Sequence, residues 1–271
     1  MSHVVGNRAG AKLSKVKGRG VDIAEVRAYQ PGDDIRSIDW RVTARTNKPH
    51  TKIFREERER PTLVVLDQTQ NMFFGSKARL KSVAGTEIAA RIAWQTLAAG
   101  DRVGGVVIGN DNLVAHRPRR STKSVARLLN DVASFNTALT RSTALQVNLD
   151  ESLMRVRRLA RGNYRVFVIS DFRHANVDWH DHLKQIAKRN QVVVVHVSDA
   201  LDAELPPADH YQLTDGSSRL HLYTGDRSLR NRYRTQYLEH VEALKNACLH
   251  DAMRYIELPT DNLDLDNIAW L

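Results

Sequence analysis

From residue 62 onward, apolar runs of strand length alternate with segments whose apolar residues recur at helical spacing. Thr62 to Asp67 (TLVVLD) is a continuous apolar run ending in an acid, the pattern of a strand covered on both faces. Residues 77–99 follow with Leu80, Ala84, Ile88 and Ile92 at four-residue intervals, which predicts a helix closed by Gly100. Val103 to Ile108 reads as a second strand. The turn cluster GNDN at 109–112 lets Leu113 to Arg117 return beside it as a hairpin partner. Helices are expected at 122–135 and 145–160, a strand at 164–170 running into Asp171, a helix at 178–189 and a buried strand at 191–197. Strands alternating with helices predict a doubly wound, mainly parallel α/β sheet of Rossmann-like type.

The two ends of the chain read differently. Residues 209–224 suggest a hairpin around Asp215-Gly216, followed by a helix at 228–249 and a strand at 253–258. These can add edge strands to the same sheet. The first 60 residues hold few long apolar runs and many charges, and are expected to form a strand-bearing extension packed on the main domain, which spans 61–271. No internal repeat or low-complexity tract is present.

Composition narrows the function classes. No apolar run approaches the roughly 20 residues of a membrane-spanning helix, and the basic N-terminus lacks the apolar core of a signal peptide, so a cytoplasmic protein is expected. The single Cys248 excludes an internal disulfide and lies on an apolar helical stripe with Tyr237, Val241 and Leu244, where an inert core thiol is expected. The formal net charge is +10. Residues 115–165 carry 11 Lys/Arg against 3 Asp/Glu, which makes nucleic-acid binding the alternative to a purely protein-binding role. Against that alternative, the basic residues are not interleaved with stacking aromatics.

Ligands of an open α/β sheet sit outside the carboxyl ends of its strands. Two of the predicted strands end there in acids, Asp67 and Asp171. Thr69 and Asn71 follow Asp67 at alternating positions, and the loop before residue 145 adds Thr140, Ser142 and Thr143. This set is all oxygen, without His or Cys, and suits a hard cation such as Mg2+. The bland alternative makes each aspartate a cap on the turn or helix that follows it.

The D-x-T-x-N loop, the later threonine and the Ser170-Asp171 pair resemble the metal-ion-dependent adhesion site of von Willebrand factor A domains. The stretch YQPGDDIRSIDW at 29–40, Ala44-Arg45, FREER at 54–58, GDRVG at 100–104 and ISDF at 169–172 further resemble the bacterial family catalogued as domain of unknown function fifty-eight. That resemblance implies a von Willebrand factor A-type fold and a metal set of Asp67, Thr69, Asn71, Thr143 and Asp171. It also implies a non-catalytic adaptor or co-chaperone role beside a MoxR-type AAA+ ATPase and its protein clients. Asn71 departs from the family's second serine. Its carbonyl reaches one bond further, and Mg2+ demands near-octahedral geometry, so the site is degenerate at this position.

Other constellations point to no enzyme. The acids at 33, 34 and 39 have Arg27, Arg36 and Arg45 as internal partners. His180 and His182 do not share a helix face, so a solvated helix start is expected there. His196 falls in a buried strand as a hydrogen-bonded core residue. No Walker loop, Gly-x-Gly-x-x-Gly turn or Gly-x-Ser-x-Gly elbow is present.

Overall fold

The computed structural model describes residues 21–56, 60–139, 149–173, 178–214 and 219–262. The chain divides into two compact units, 1–59 and 60–271. In the first, β1 (Val21–Ala28) pairs antiparallel with β2 (His50–Glu56), and helix α1 (Trp40–Thr46) lies between them in sequence. Asp39 caps α1 by accepting from the N–H groups of Arg41 and Val42. Arg27 grips Asp33 through two hydrogen bonds of 2.7 and 2.8 Å, so the acid-rich turn is an internal network, as its composition suggested.

The second unit is built on a six-stranded sheet. Its strands are β3 (Thr62–Asp67), β4 (Val103–Ile108), β5 (Leu113–Arg119), β6 (Arg165–Ser170), β7 (Gln191–Ser198) and β10 (Arg254–Pro259). Their order is β10-β7-β6-β3-β4-β5, parallel throughout except for the edge strand β5. The continuous apolar runs are explained by burial on both faces. Val64, Leu66, Phe167 and Ile169 pack under α2 (Lys81–Ala98) and α3 (Thr122–Ala138), whereas Leu63, Val65, Val166 and Val168 pack under α4 (Leu149–Leu159), α5 (Trp179–Ala187) and α7 (Arg227–His250).

Two glycines have structural reasons. Gly100, at φ +84°, ends α2 in the left-handed conformation. A Cβ on Gly105 would lie 2.7 Å from a Leu128 methyl and 2.9 Å from the Val64 carbonyl, so only glycine lets α3 approach β4 here.

One expectation about the tail needs correction. The hairpin of β8 (His210–Thr214) and β9 (Arg219–Tyr223) forms its own two-stranded sheet and adds no edge to the main one. Only β10 joins that sheet, parallel to β7, because the 24-residue helix α7 provides the crossover that a parallel strand requires. His182 also differs from expectation. It is buried and bonded to Asp150 at 2.9 Å, whereas His180 is half exposed and meets Asp251.

Candidate functional site

From β3 the chain passes to β4 on one side and later returns to β6 on the other, so the strand order reverses across β3 and β6. The crevice at their carboxyl ends is where an α/β sheet places its ligands. Asp67 ends β3, and Ser170 with Asp171 ends β6.

Asp67 is buried, with both carboxyl oxygens engaged. Oδ1 accepts from the Thr69 backbone N–H at 2.9 Å and from the Thr69 hydroxyl at 2.7 Å; Oδ2 accepts from the Ser170 hydroxyl at 2.6 Å. The loop after Asp67 is held from below. Buried Gln68 donates to the Ser82 carbonyl and the Thr86 hydroxyl and accepts from Asn136, while the Gln70 N–H donates to the Asn110 side chain. Asn71 is exposed beyond this frame. Thr140, Ser142 and Thr143 lie outside the described residues.

Asp171 faces a partner that sequence reading did not single out. Its Oδ2 accepts from the Lys81 ammonium at 2.8 Å, and its Oδ1 from the Arg173 backbone N–H at 3.1 Å. The same ammonium reaches both oxygens of Asp202 at 3.3 and 3.4 Å, and Arg173 donates to Asp202 at 2.8 Å. Lys81 is only 2% exposed. Burial alone would lower its pKa, but Asp171 and Asp202 outweigh that and hold it above the usual lysine value. Arg173 behaves likewise: burial lowers its pKa, Asp202 raises it, and the net shift is upward. Two cations and two carboxylates thus close a neutral tetrad.

Local structure fixes the tetrad. Lys81 opens α2, where a cation meets the positive end of the helix dipole and gains nothing from it, so the two carboxylates must hold it there. Asp202 belongs to the short helix α6 (Ala200–Ala203), where it forms a capping box with Asp199. Asp199 in turn accepts from the Ser76 N–H and the Thr260 hydroxyl, tying this turn to the loop that leads into α2. Phe172 adopts φ +55°, a conformation costing a non-glycine residue about 1–3 kcal/mol. The Ser170 hydroxyl accepts from its N–H, and its ring packs edge-on against Trp179 at 4.9 Å.

The described part of the set does not fit Mg2+. The ion needs oxygens about 2.0–2.1 Å away in near-octahedral array, yet Asp67 is occupied by hydroxyls and an N–H, and Asp171 by an ammonium. A divalent ion about 4 Å from that ammonium would be repelled by about 8 kcal/mol at an effective dielectric of about 20. Among the described residues, no group of three or more His, Cys, Asp or Glu is placed to hold a metal.

Beside the tetrad opens a cavity of about 560 Å³. Phe74, Leu201, Leu205, Leu222 and Tyr233 contribute to its apolar walls, with Asn71 and the tetrad forming its polar part. The Tyr233 hydroxyl donates to the Leu201 carbonyl at 2.7 Å. Elsewhere, Cys248 is buried in the core and its thiol is pushed up to about 11 by that burial, so it is no nucleophile. No described helix is long and apolar enough to cross a membrane.

Lys81, Asp202 and Gln68 escaped the sequence reading. One signal for Lys81 was present: it precedes Ala84 by three residues and Ile88 by seven, on the face that α2 buries.

Three findings relate the chain to known proteins. Uncharacterized proteins of Mycobacterium bovis and Mycobacterium tuberculosis are 30% identical over 209 residues, 77% of this chain. The chain covers 65% of the length of those relatives. Among solved structures, the conserved hypothetical protein BatB from Bacteroides thetaiotaomicron superposes with a TM-score of 0.50 at 13% identity, over 78% of this chain and 94% of that one. The SpRpn10 VWA domain matches at a TM-score of 0.45 and 14% identity, over 78% and 96%. The BatB likeness speaks to the fold alone, a doubly wound sheet of von Willebrand factor A type. The family model described as "Protein of unknown function DUF58" matches residues 25–243, most of both units, and the chain belongs to that family.

Proposed function

We propose that this chain is a non-catalytic protein-interaction module, an adaptor or co-chaperone subunit for a MoxR-type AAA+ ATPase and its protein clients. The observation that supports this most is the switch-point crevice itself. Among the described residues, Asp171 and Asp202 are paired with Lys81 and Arg173 and Asp67 accepts from the Thr69 and Ser170 hydroxyls, so each of these acids is held by partners, and an apolar cavity opens beside them. A crevice with apolar walls and a few fixed polar groups is suited to receiving a partner's side chains. The tagged chain, recovered from its own lysate with Mg2+ and ATP, is expected to retain a MoxR-type ATPase identifiable by mass spectrometry. Phe74 is 40% exposed at the cavity. Its replacement by alanine is expected to weaken that association roughly 30-fold, the loss of about 2 kcal/mol typical of a buried aromatic anchor. Recovery of no AAA+ ATPase by the wild-type chain would remove the reading.

A second reading is favoured by a different observation. At the amino ends of β6 and β7, Arg157, Arg158, Arg161, Lys188 and Arg189 line a concavity of about 650 Å³ with no acid among its lining residues. Among the described residues none of the five makes an ion pair. If nucleic acid binds there through four or five phosphates, log affinity should fall with log salt at a slope of about −4. Arg158→Ala is expected to reduce that slope by about 1. Binding that is absent, or indifferent to salt, would dispose of this alternative.

A further inference from the structure

We infer that the Lys81 ammonium occupies the role a divalent cation fills in an adhesion-type metal site, so that this crevice is assembled without metal. Three observations lead there. The strand-end acid on β6, Asp171, spends one oxygen on Lys81 at 2.8 Å and the other on the Arg173 backbone. The acid on β3, Asp67, is satisfied on both oxygens by Thr69 and Ser170. Finally, Lys81 is drawn from the first turn of α2, which follows the Asp67 loop, and a second carboxylate, Asp202, holds it from the β7 side of the sheet.

A divalent cation in such a crevice does two things: it compensates the acids, and it joins loops from several strands. While Asp67 is held by the Thr69 and Ser170 hydroxyls, Lys81 does both here for Asp171 and Asp202. Its single charge is shared by Asp171 and Asp202, and the second positive charge comes from Arg173. Its three donors tie α2 to the ends of β6 and β7, as a cation's ligands would. The substitution has a consequence for recognition. An open metal position would be completed by a partner's carboxylate. A closed tetrad offers no such position, and selection of a partner falls to the apolar cavity walls and the exposed Asn71.

The test uses the isolated chain of residues 1–271, so its outcome is independent of whether the ATPase is the partner. Thermal midpoints are measured in EDTA, in 10 mM Mg2+ and in 1 mM Mn2+, and Mn2+ binding is followed by electron paramagnetic resonance. Wild type is expected to shift by less than about 1 °C and to bind no Mn2+. A cation at one hundred times its Kd would instead raise the midpoint by roughly 5–10 °C. Lys81→Ala uncovers the carboxylates, and is expected to bind Mn2+ and to regain part of its midpoint with it. Stoichiometric Mn2+ binding by wild type, abolished in Asp171→Asn, would overturn the inference. So would indifference to Mn2+ in wild type and Lys81→Ala alike, because removing the ammonium would then expose no cation position. If Lys81→Ala fails to fold, the wild-type arm with Asp171→Asn still decides.

Discussion

Lys81→Ala is expected to destabilise the second unit by about 3–5 kcal/mol, the cost of leaving buried carboxylates without their counter-charge. For a unit of this size that corresponds to a fall of roughly 6–20 °C in the thermal midpoint, measured in EDTA. The expectation rests on geometry: the ammonium is almost wholly enclosed and is held at 2.8 Å by Asp171 and at 3.3 Å by Asp202. Exposed ion pairs such as Lys77–Asp261 contribute no more than about 1 kcal/mol each, and a loss of that size at Lys81 would contradict an enclosed tetrad. A double-mutant cycle separates charge from packing. In the Lys81→Ala background, Asp171→Asn should cost far less than in wild type, because the carboxylate it neutralises is then already unpaired. Equal costs in the two backgrounds would show that Lys81 and Asp171 are energetically independent, and the tetrad would lose its basis.

The same residue shows where the sequence was legible and where it was not. The strands could be read because burial on both faces writes an unbroken apolar run, and TLVVLD and QVVVVHV carry no other meaning. The position of Asp67 followed, since the last residue of such a run must lie at the carboxyl end of its strand. The partners of these acids could not be read in the same way. Lys81 is 14 residues beyond Asp67, at the start of a helix where lysine ordinarily points to solvent, and Asp202 is 31 residues beyond Asp171 in a four-residue helix. Only the crossing of β6 and β7 beside β3 brings them together.

The helix stripe shows a smaller error of the same kind. The spacing of Leu80, Ala84, Ile88 and Ile92 predicts one continuous face, but α2 begins at Lys81 and Leu80 is its N-cap. The apolar residue therefore sits outside the helix, and the charged one lies on the buried face. Hydropathy ranks lysine as exposed because it cannot know that two carboxylates wait opposite. The tail hairpin failed for another reason. Its alternation predicts a strand pair correctly, but nothing local tells a free two-stranded sheet from an edge of the main one.

Acid pH should expose another buried group. His196 sits in the middle of the sheet at β7, 1% exposed, its Nδ1 sharing a 2.7 Å hydrogen bond with the Tyr255 hydroxyl. Burial pushes its pKa down to about 3, helped by the neighbouring His240, Lys81 and Lys245, while Asp171 acts in the opposite direction. In the unfolded chain the imidazole titrates near its ordinary value of about 6.5. Between pH 6.5 and 3 the unfolded state therefore binds a proton that the native state refuses, so stability falls as the pH drops through this window and is unaffected by this group above it. At about 1.4 kcal/mol per pH unit the loss at pH 4 is about 3 kcal/mol. His196→Gln removes the titration while keeping an acceptor for Tyr255. Denaturant unfolding of both proteins at pH 7 and pH 4 cancels the carboxylates they share. The variant is expected to lose about 3 kcal/mol less than wild type over that interval. Parallel losses would mean that His196 accepts its proton in the folded sheet, and that its surroundings are more polar than the packing of β7 against α7 and β10 allows.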